Sequence, residues 1–196
     1  MSILLFNELQ NIADCEASTP ESGGYLLSGS NITLALPKPP RSYYHHGWKS
    51  WSLATWSAPR ALPVQKPEMY HPLQIDPVYA RHPSPNGNWL GAVDFDDGNI
   101  LLLGALGLDS HVQLREGKLQ GWYESRTQSI TPGSSWFVGY GPEQQVFNTY
   151  AQLLGDRFGR GRAGKSYRVW CSWYSLYTAI DEQILSKTFQ SLGKLP

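Results

Sequence analysis

The sequence predicts a mainly β fold that gives way, near its C-terminal end, to a helix and then to one strand–helix unit. Three observations carry this. Up to about residue 140, short apolar or alternating runs are separated by turn residues every dozen positions or so, and none shows a sustained helical period. At Pro142 the apolar spacing switches to that of a helix. Beyond a Gly- and Arg-rich segment, an aromatic run with strand character leads into a second helical period.

Taken in order, "GGYLLSGSNITLAL" reads as two strands around a Ser-Gly-Ser-Asn turn. "WLGAVDFDDGNILLLGALG" reads as a hairpin folded at "DDGN", where Gly98 takes a positive φ at little cost. "HVQLREGKLQGWYE" is a second hairpin turning at "REGK", and "TQSITPGSSWFVGYG" closes the series. Half of the 14 prolines fall between Pro59 and Pro85. Proline lacks the N–H that a ladder needs, so this stretch is expected to be a long excursion from the sheets, and such loops are often functional.

"PEQQVFNTYAQLLGDRF" places Val146, Phe147, Tyr150, Leu153, Leu154 and Phe158 on one helical face, with Pro142 suited to the first turn. The run "YRVWCSWYSLY" then reads as a strand. Thr178 with Asp181 forms a weak capping box ahead of Ile184, Leu185, Phe189 and Leu192, and Gly193 is the expected stop.

Sixteen basic and 16 acidic residues in 196 give no net charge, which argues against nucleic acid or a membrane surface as partner and toward neutral ones. Cys15 and Cys171 are too few for a disulfide framework and are not at metal-ligand spacing, so they read as reduced thiols. "MSILLFNELQNIADC" has neither a cationic start nor a small-residue cleavage site, and the longest apolar run, "ILLLGALGL", is well short of the roughly 20 residues that span a bilayer. A soluble, cytoplasmic protein is expected.

"GRGRAGKS" matches the phosphate-cradling pattern, with Gly159, Gly164, Lys165 and Ser166 in the required places. That loop works when a buried strand delivers its glycines to the N-terminus of a following helix. Here a helix precedes the motif and a strand follows. A flexible cationic connector is the better reading.

The conspicuous feature is aromatic content, 8 Trp and 11 Tyr against 16% charged residues. Such rings suit cores and also suit the C–H faces of sugars. Two clusters, "HHGWKSWSLATW" and "VWCSWYSLY", each contain W-x-S-W. In an extended run, residues three apart point to opposite faces, so one indole of each pair can be buried and the other presented. On the residues alone, two aromatic packing clusters and a ligand wall both remain open. Trp48 and Trp170 read as packing residues, while Trp51 and Trp173 sit where strand gives way to loop, the position from which side chains reach ligands. His45 and His46 read as structural or solvated neighbours of the same rim. Asp94, Asp96 and Asp97 form the one dense carboxylate cluster, and they read as turn chemistry.

"HHGWKSWS" followed by "VWCSWYSLYTAIDEQIL" resembles the microbial α-galactosidases of glycoside hydrolase family 36, the melibiase-like group. The resemblance implies an N-terminal β-supersandwich over residues 1–140, a linker helix and Gly/Arg-rich connector over 141–165, and the first β/α unit of a (β/α)8 (TIM) barrel over 166–196. It implies that Trp51 and Trp173 wall a galactose site, with Trp48, Trp170 and Tyr174 in support, and that a galactoside or oligosaccharide is the substrate. No cofactor and no metal are expected.

Family catalysis is retaining, with one carboxylate as nucleophile and a second as acid/base about 5–5.5 Å apart. Those aspartates, on later barrel strands, are expected downstream of Pro196, so this chain by itself is expected to be an inactive, truncated portion. A non-catalytic carbohydrate-binding or interaction module on the same sandwich is the alternative. Homo-oligomerisation is left open.

Overall fold

The computed structural model of the protein describes residues 17–47, 54–60, 85–124, 135–159, 171 and 176–193. The chain divides into two compact units, Met1–Arg160 and Gly161–Pro196.

In the first unit, eleven strands among the described residues form two antiparallel sheets. The first is β1 (Ala17–Glu21), β2 (Gly24–Ser28), β4 (Ser42–His45), β5 (Thr55–Ser57), β7 (Leu90–Asp94), β8 (Ile100–Ala105) and β11 (Ser135–Gly141), in the spatial order β1-β2-β11-β8-β7-β4-β5. The second holds β3 (Asn31–Ala35), β6 (Asn86–Asn88), β9 (Ser110–Arg115) and β10 (Lys118–Tyr123), in the order β3-β10-β9-β6. The one helix of this unit among the described residues, α1 (Glu143–Phe158), follows β11.

The apolar run at the hairpin shows why this architecture closes. Along β8, Leu101, Leu103 and Ala105 enter a core shared by the two sheets, with Leu27, Val93, Trp136 and Val138 from the larger sheet and Ile32, Leu34, Val112 and Leu119 from the smaller. The alternate residues Ile100 and Leu102 point the other way, onto Phe137 and onto Val146 and Tyr150 of α1. A strand covered on both faces must be apolar at every position, and "ILLL" is. Burying each such leucine contributes about 1.5–3 kcal/mol.

Two polar anchors fix the layers. The Tyr150 hydroxyl donates to the carbonyl of Ala105 at 2.7 Å and Trp136 Nε1 to that of Gly29 at 3.0 Å, so neither aromatic buries an unmet donor. Gly104 lets α1 approach, since a Cβ there would lie 2.4 Å from the Tyr150 ring.

Both predicted hairpins form. β7 pairs with β8 around residues 95–99, with Gly98 at φ 82°, and β9 pairs with β10 around Glu116 and Gly117, at φ 50° and 71°. Two positive φ values in a two-residue loop match the twist of the flanking strands. The strands around the Ser-Gly-Ser-Asn turn also form, but they part there: β2 joins the larger sheet and β3 the smaller. Of the proline-rich excursion, residues 61–84 lie outside the described part.

Two helix details differ from expectation. Pro142 lies just outside α1, as its cap at ψ 135°, and Phe158 is 51% exposed rather than part of the packed face. In the second unit, α2 (Glu182–Leu192) is capped by Asp181, whose carboxylate accepts from the Ile184 N–H at 2.7 Å. Asp181 is thus the cap itself rather than the far end of a box begun by Thr178. Thr178 belongs instead to a 3-10 turn, Tyr177–Ala179. That turn also corrects the end of the expected strand "YRVWCSWYSLY", because the chain is already helical at Leu176 and Tyr177. Gly193 ends α2 as read, its N–H bonded to the carbonyl of Phe189.

Candidate functional site

Trp48 and Trp51 fall, in sequence, between two paired strands of the larger sheet. β4 and β5 pair with Tyr43 opposite Ser57, Tyr44 opposite Trp56 and His45 opposite Thr55, so residues 46–54 are the stretch of sequence that connects them. On its other side β4 pairs with β7, His45 opposite Gly91. Among the described residues β5 is the edge of the larger sheet, so there this hairpin has a ladder on one side only.

Its base is held by aromatic packing on the helix side. The Tyr44 ring meets Trp56 edge-on at 5.5 Å and Phe147 of α1 edge-on at 5.1 Å. Trp56 Nε1 donates to Glu143 Oε1, in the first turn of α1, at 3.1 Å. Burial, reinforced by the nearby Glu143 carboxylate, raises the Tyr44 hydroxyl above its ordinary value, so this phenol stays neutral. On the opposite face Tyr43 is fully buried and donates to the carbonyl of Val112 at 2.8 Å, which fixes β4 against the smaller sheet.

The two histidines sit where the loop leaves β4. Burial lowers the His45 imidazole below its ordinary value, with the neighbouring His46 adding to the effect. The His46 carbonyl accepts from the Asn88 N–H at 2.8 Å. The His46 ring lies nearly parallel to the Trp89 indole, 10° between planes and 6.2 Å between centroids. His46 therefore has a defined place at the base of the loop rather than standing free in solvent.

Trp89 was hidden in the sequence, where "WLGAV" reads as the start of a strand. It is the single residue between β6 of one sheet and β7 of the other, at φ 69°. Its N–H donates to the Ser110 carbonyl at 3.0 Å and its carbonyl accepts from the Ala105 N–H at 2.7 Å, so the uncommon backbone is held on both sides. The preceding "NGN" was a possible signal of a break, but nothing in it says that a tryptophan would occupy the left-handed position.

Of the other expected site residues, Trp48, Trp51, Trp170, Trp173 and Tyr174 lie outside the described part of the structure. Gly164, Lys165 and Ser166 do so too, while Gly159 caps the C-terminus of α1 at φ 90°, so the phosphate-like motif follows a helix. Cys171 is an exposed free thiol.

The carboxylate cluster is engaged in turn geometry. The Asp96 N–H donates to Asp94 Oδ1 at 2.8 Å and the Asn99 N–H to Asp97 Oδ1 at 3.0 Å. Lys38 pairs with Asp97 at 3.0 Å and Arg41 with Asp96. The Lys38 hydrogen bond holds the Asp97 carboxyl below its ordinary value. Among the described residues no three His, Cys, Asp or Glu side chains converge to hold a metal ion, and no helix is long and apolar enough to cross a membrane.

No protein-family profile and no curated protein sequence matches the chain. Solved structures do. An α-galactosidase from Thermus thermophilus in complex with stachyose is 38% identical, with a TM-score of 0.77, over 92% of this chain and 38% of its own. The same enzyme in complex with p-nitrophenyl α-D-galactopyranoside matches at the same identity and TM-score, over 92% of this chain and 36% of its own. The chain thus spans well under half the length of that enzyme. In sequence and fold together, it is a relative of the N-terminal portion of an α-galactosidase.

Proposed function

We propose that this chain is the N-terminal portion of a retaining α-galactosidase, in which the β4–β5 hairpin carries Trp51 to the wall of a galactose pocket and Trp173 supplies a second wall. The carrying observation is the 38% identity and TM-score of 0.77 across 92% of the chain. The Thermus enzyme was determined with stachyose and with p-nitrophenyl α-D-galactopyranoside, which supports α-galactosides as the substrate class. The indole face suits the C–H face of a pyranose, and the neutral chain suits a neutral ligand. Trp48, Trp170 and Tyr174 support the two walls.

In this reading residues 1–140 are the supersandwich, 141–165 the connector and 166–196 the first β/α unit of the catalytic barrel. The place of Trp173 accords with the rule that barrel sites lie at the C-terminal ends of strands. The catalytic aspartates belong to later strands, downstream of Pro196. Hydrolysis with retention needs a nucleophilic carboxylate and a protonated partner about 5–5.5 Å away. Asp94, Asp96 and Asp97 are instead committed to their turn and to Lys38 and Arg41. The protein works in the cytoplasm and needs no cofactor.

The test is an assay of the 196-residue chain. No nitrophenolate release above the blank from p-nitrophenyl α-D-galactopyranoside is expected, while galactose binding is seen by saturation-transfer NMR and falls about tenfold in Trp51→Ala. Turnover by the chain alone, or galactose binding indifferent to Trp51, contradicts the proposal.

A further inference from the structure

The smaller sheet ends on β3, and the register of that strand says which of its backbone groups are in use. The Leu36 N–H donates to the Gly117 carbonyl at 2.9 Å and the Tyr123 N–H to the Ser30 carbonyl at 3.2 Å. Hydrogen-bonded pairs alternate along an antiparallel ladder, so Ile32, opposite Gly121, and Leu34, opposite Leu119, also turn their N–H and C=O groups to β10. Asn31, Thr33 and Ala35 turn theirs the other way, to a side with no strand among the described residues. The side chains sort likewise. Ile32 and Leu34 are fully buried in the core, whereas Asn31 and Ala35 are exposed and Thr33 is half-buried on the outer face.

An open edge is a template for a further strand, and proteins blunt it with a charge, a proline, a bulge or a short strand. The other sheet edges among the described residues are blunted in these ways. β1 carries Pro20 and Glu21, and β5 and β6 have three residues each. β3 runs for five residues, Asn-Ile-Thr-Leu-Ala, with no charge, no proline and an unbroken register. Pro37, two residues beyond its end, lacks the N–H that an outward ladder would need, so the template stops there.

We infer that β3 is a self-association edge, to which a second copy of this chain adds its own β3 antiparallel. About a two-fold axis through Thr33, Asn31 comes opposite the partner's Ala35 and Thr33 opposite the partner's Thr33. The outward N–H and C=O groups of the two copies then meet as hydrogen-bonded pairs along the whole strand. Every pair is uncharged, and Thr opposite Thr is a favourable cross-strand pair. The contact is isologous, so it closes at two copies and leaves the short β6 strands as the new edges of the joined sheet. A five-residue ladder falls short of the about 1,200 Å² at the low end of stable interfaces, so the dimer is weak and reversible.

Sedimentation velocity of the 196-residue chain from micromolar to near-millimolar concentration, with amide hydrogen exchange read by NMR at both ends of the range, tests it. The expected result is a passage from monomer to dimer in which the Asn31, Thr33 and Ala35 amides gain protection, while those of Ile32 and Leu34, already bonded to β10, do not change. Thr33→Pro removes an outward N–H without touching the β10 ladder, and Thr33→Lys sets two like charges opposite each other. Each is expected to weaken dimerisation at least about tenfold, whereas Thr33→Val, which keeps the β-branch, dimerises like the wild type. Thermal unfolding checks that the variants fold, and the exchange pattern of the wild type decides even where one does not. A wild-type chain that stays monomeric throughout overturns the inference. Association that leaves the Asn31, Thr33 and Ala35 amides unprotected also overturns it, by assigning the contact to another surface. Growth past the dimer into polymers contradicts the closed two-fold pairing.

Discussion

Trp56 Nε1 donates to Glu143 Oε1 at 3.1 Å, tying the edge of the larger sheet to the first turn of α1 across 87 residues of chain. This bond and the Tyr44–Phe147 contact brace the outer side of the β4–β5 pair that flanks Trp51 in sequence, a side without a strand neighbour among the described residues. Replacing Glu143 by Ala is expected to cost about 1 kcal/mol of stability, in the range of a hydrogen bond to a charged acceptor that is partly open to water. Trp56→Phe should cost a similar polar increment, and a double-mutant cycle by urea unfolding should show the two losses overlapping. Strict additivity would mean that the bond does not hold the hairpin.

The close approach of α1 to β8 makes a sharper prediction. A Cβ at position 104 would lie 2.4 Å from the Tyr150 ring, and Tyr150 is itself anchored to the Ala105 carbonyl. Gly104→Ala should destabilise the first unit by about 1–3 kcal/mol through overpacking. Adding Tyr150→Leu, which removes the obstructing ring, should make the alanine less harmful than it is alone. Equal melting temperatures for wild type and Gly104→Ala would show that the helix is not seated there.

Stability should fall on the acid side through His45. Its folded-state value lies below the ordinary 6.5, so the unfolded chain takes up the proton first as pH drops. The contribution of the neutral, half-buried ring is therefore fully present above about pH 6.5 and is lost as pH falls below it, down to the lower folded value. His45→Gln should flatten this part of the profile. A melting temperature that rises between pH 7 and pH 5, in a manner removed by His45→Gln, would reverse the sign and contradict the assignment.

Much of the sandwich is legible in the sequence because its signals are local. Gly98 and the Glu116–Gly117 pair mark their hairpins, and the apolar face of α1 names Val146 and Tyr150, which are the residues buried. What escapes is decided by contacts distant in sequence. β5 and β6 are three residues each, and "NGN" has poor strand propensity, so only pairing with β4 and β9 makes them strands. The end of "YRVWCSWYSLY" has strand composition but turns helical ahead of the Asp181 cap. The edge-on packing of Tyr44 on Trp56 and the corner at Trp89 depend on the assembled sheets.

The second unit should be separable. Tyr177, Ile180 and Phe189 are exposed at 59%, 38% and 58%, an apolar display that favours association in water. Deleting residues 166–196 is expected to improve solubility while leaving the unfolding transition of the first unit in place. A melting temperature lowered by several degrees would show that the deleted segment is an integral part of the sandwich.

The central claim is that the hairpin loop lends Trp51 to the galactose pocket of a complete enzyme. The most direct measurement is kcat/KM for p-nitrophenyl α-D-galactopyranoside in a form of the protein extended through a full catalytic barrel, with and without Trp51→Ala. Loss of an aromatic wall should remove about 1–3 kcal/mol of transition-state stabilisation, roughly a 5- to 150-fold fall in kcat/KM, with the melting temperature unchanged. Full activity in Trp51→Ala would contradict the account.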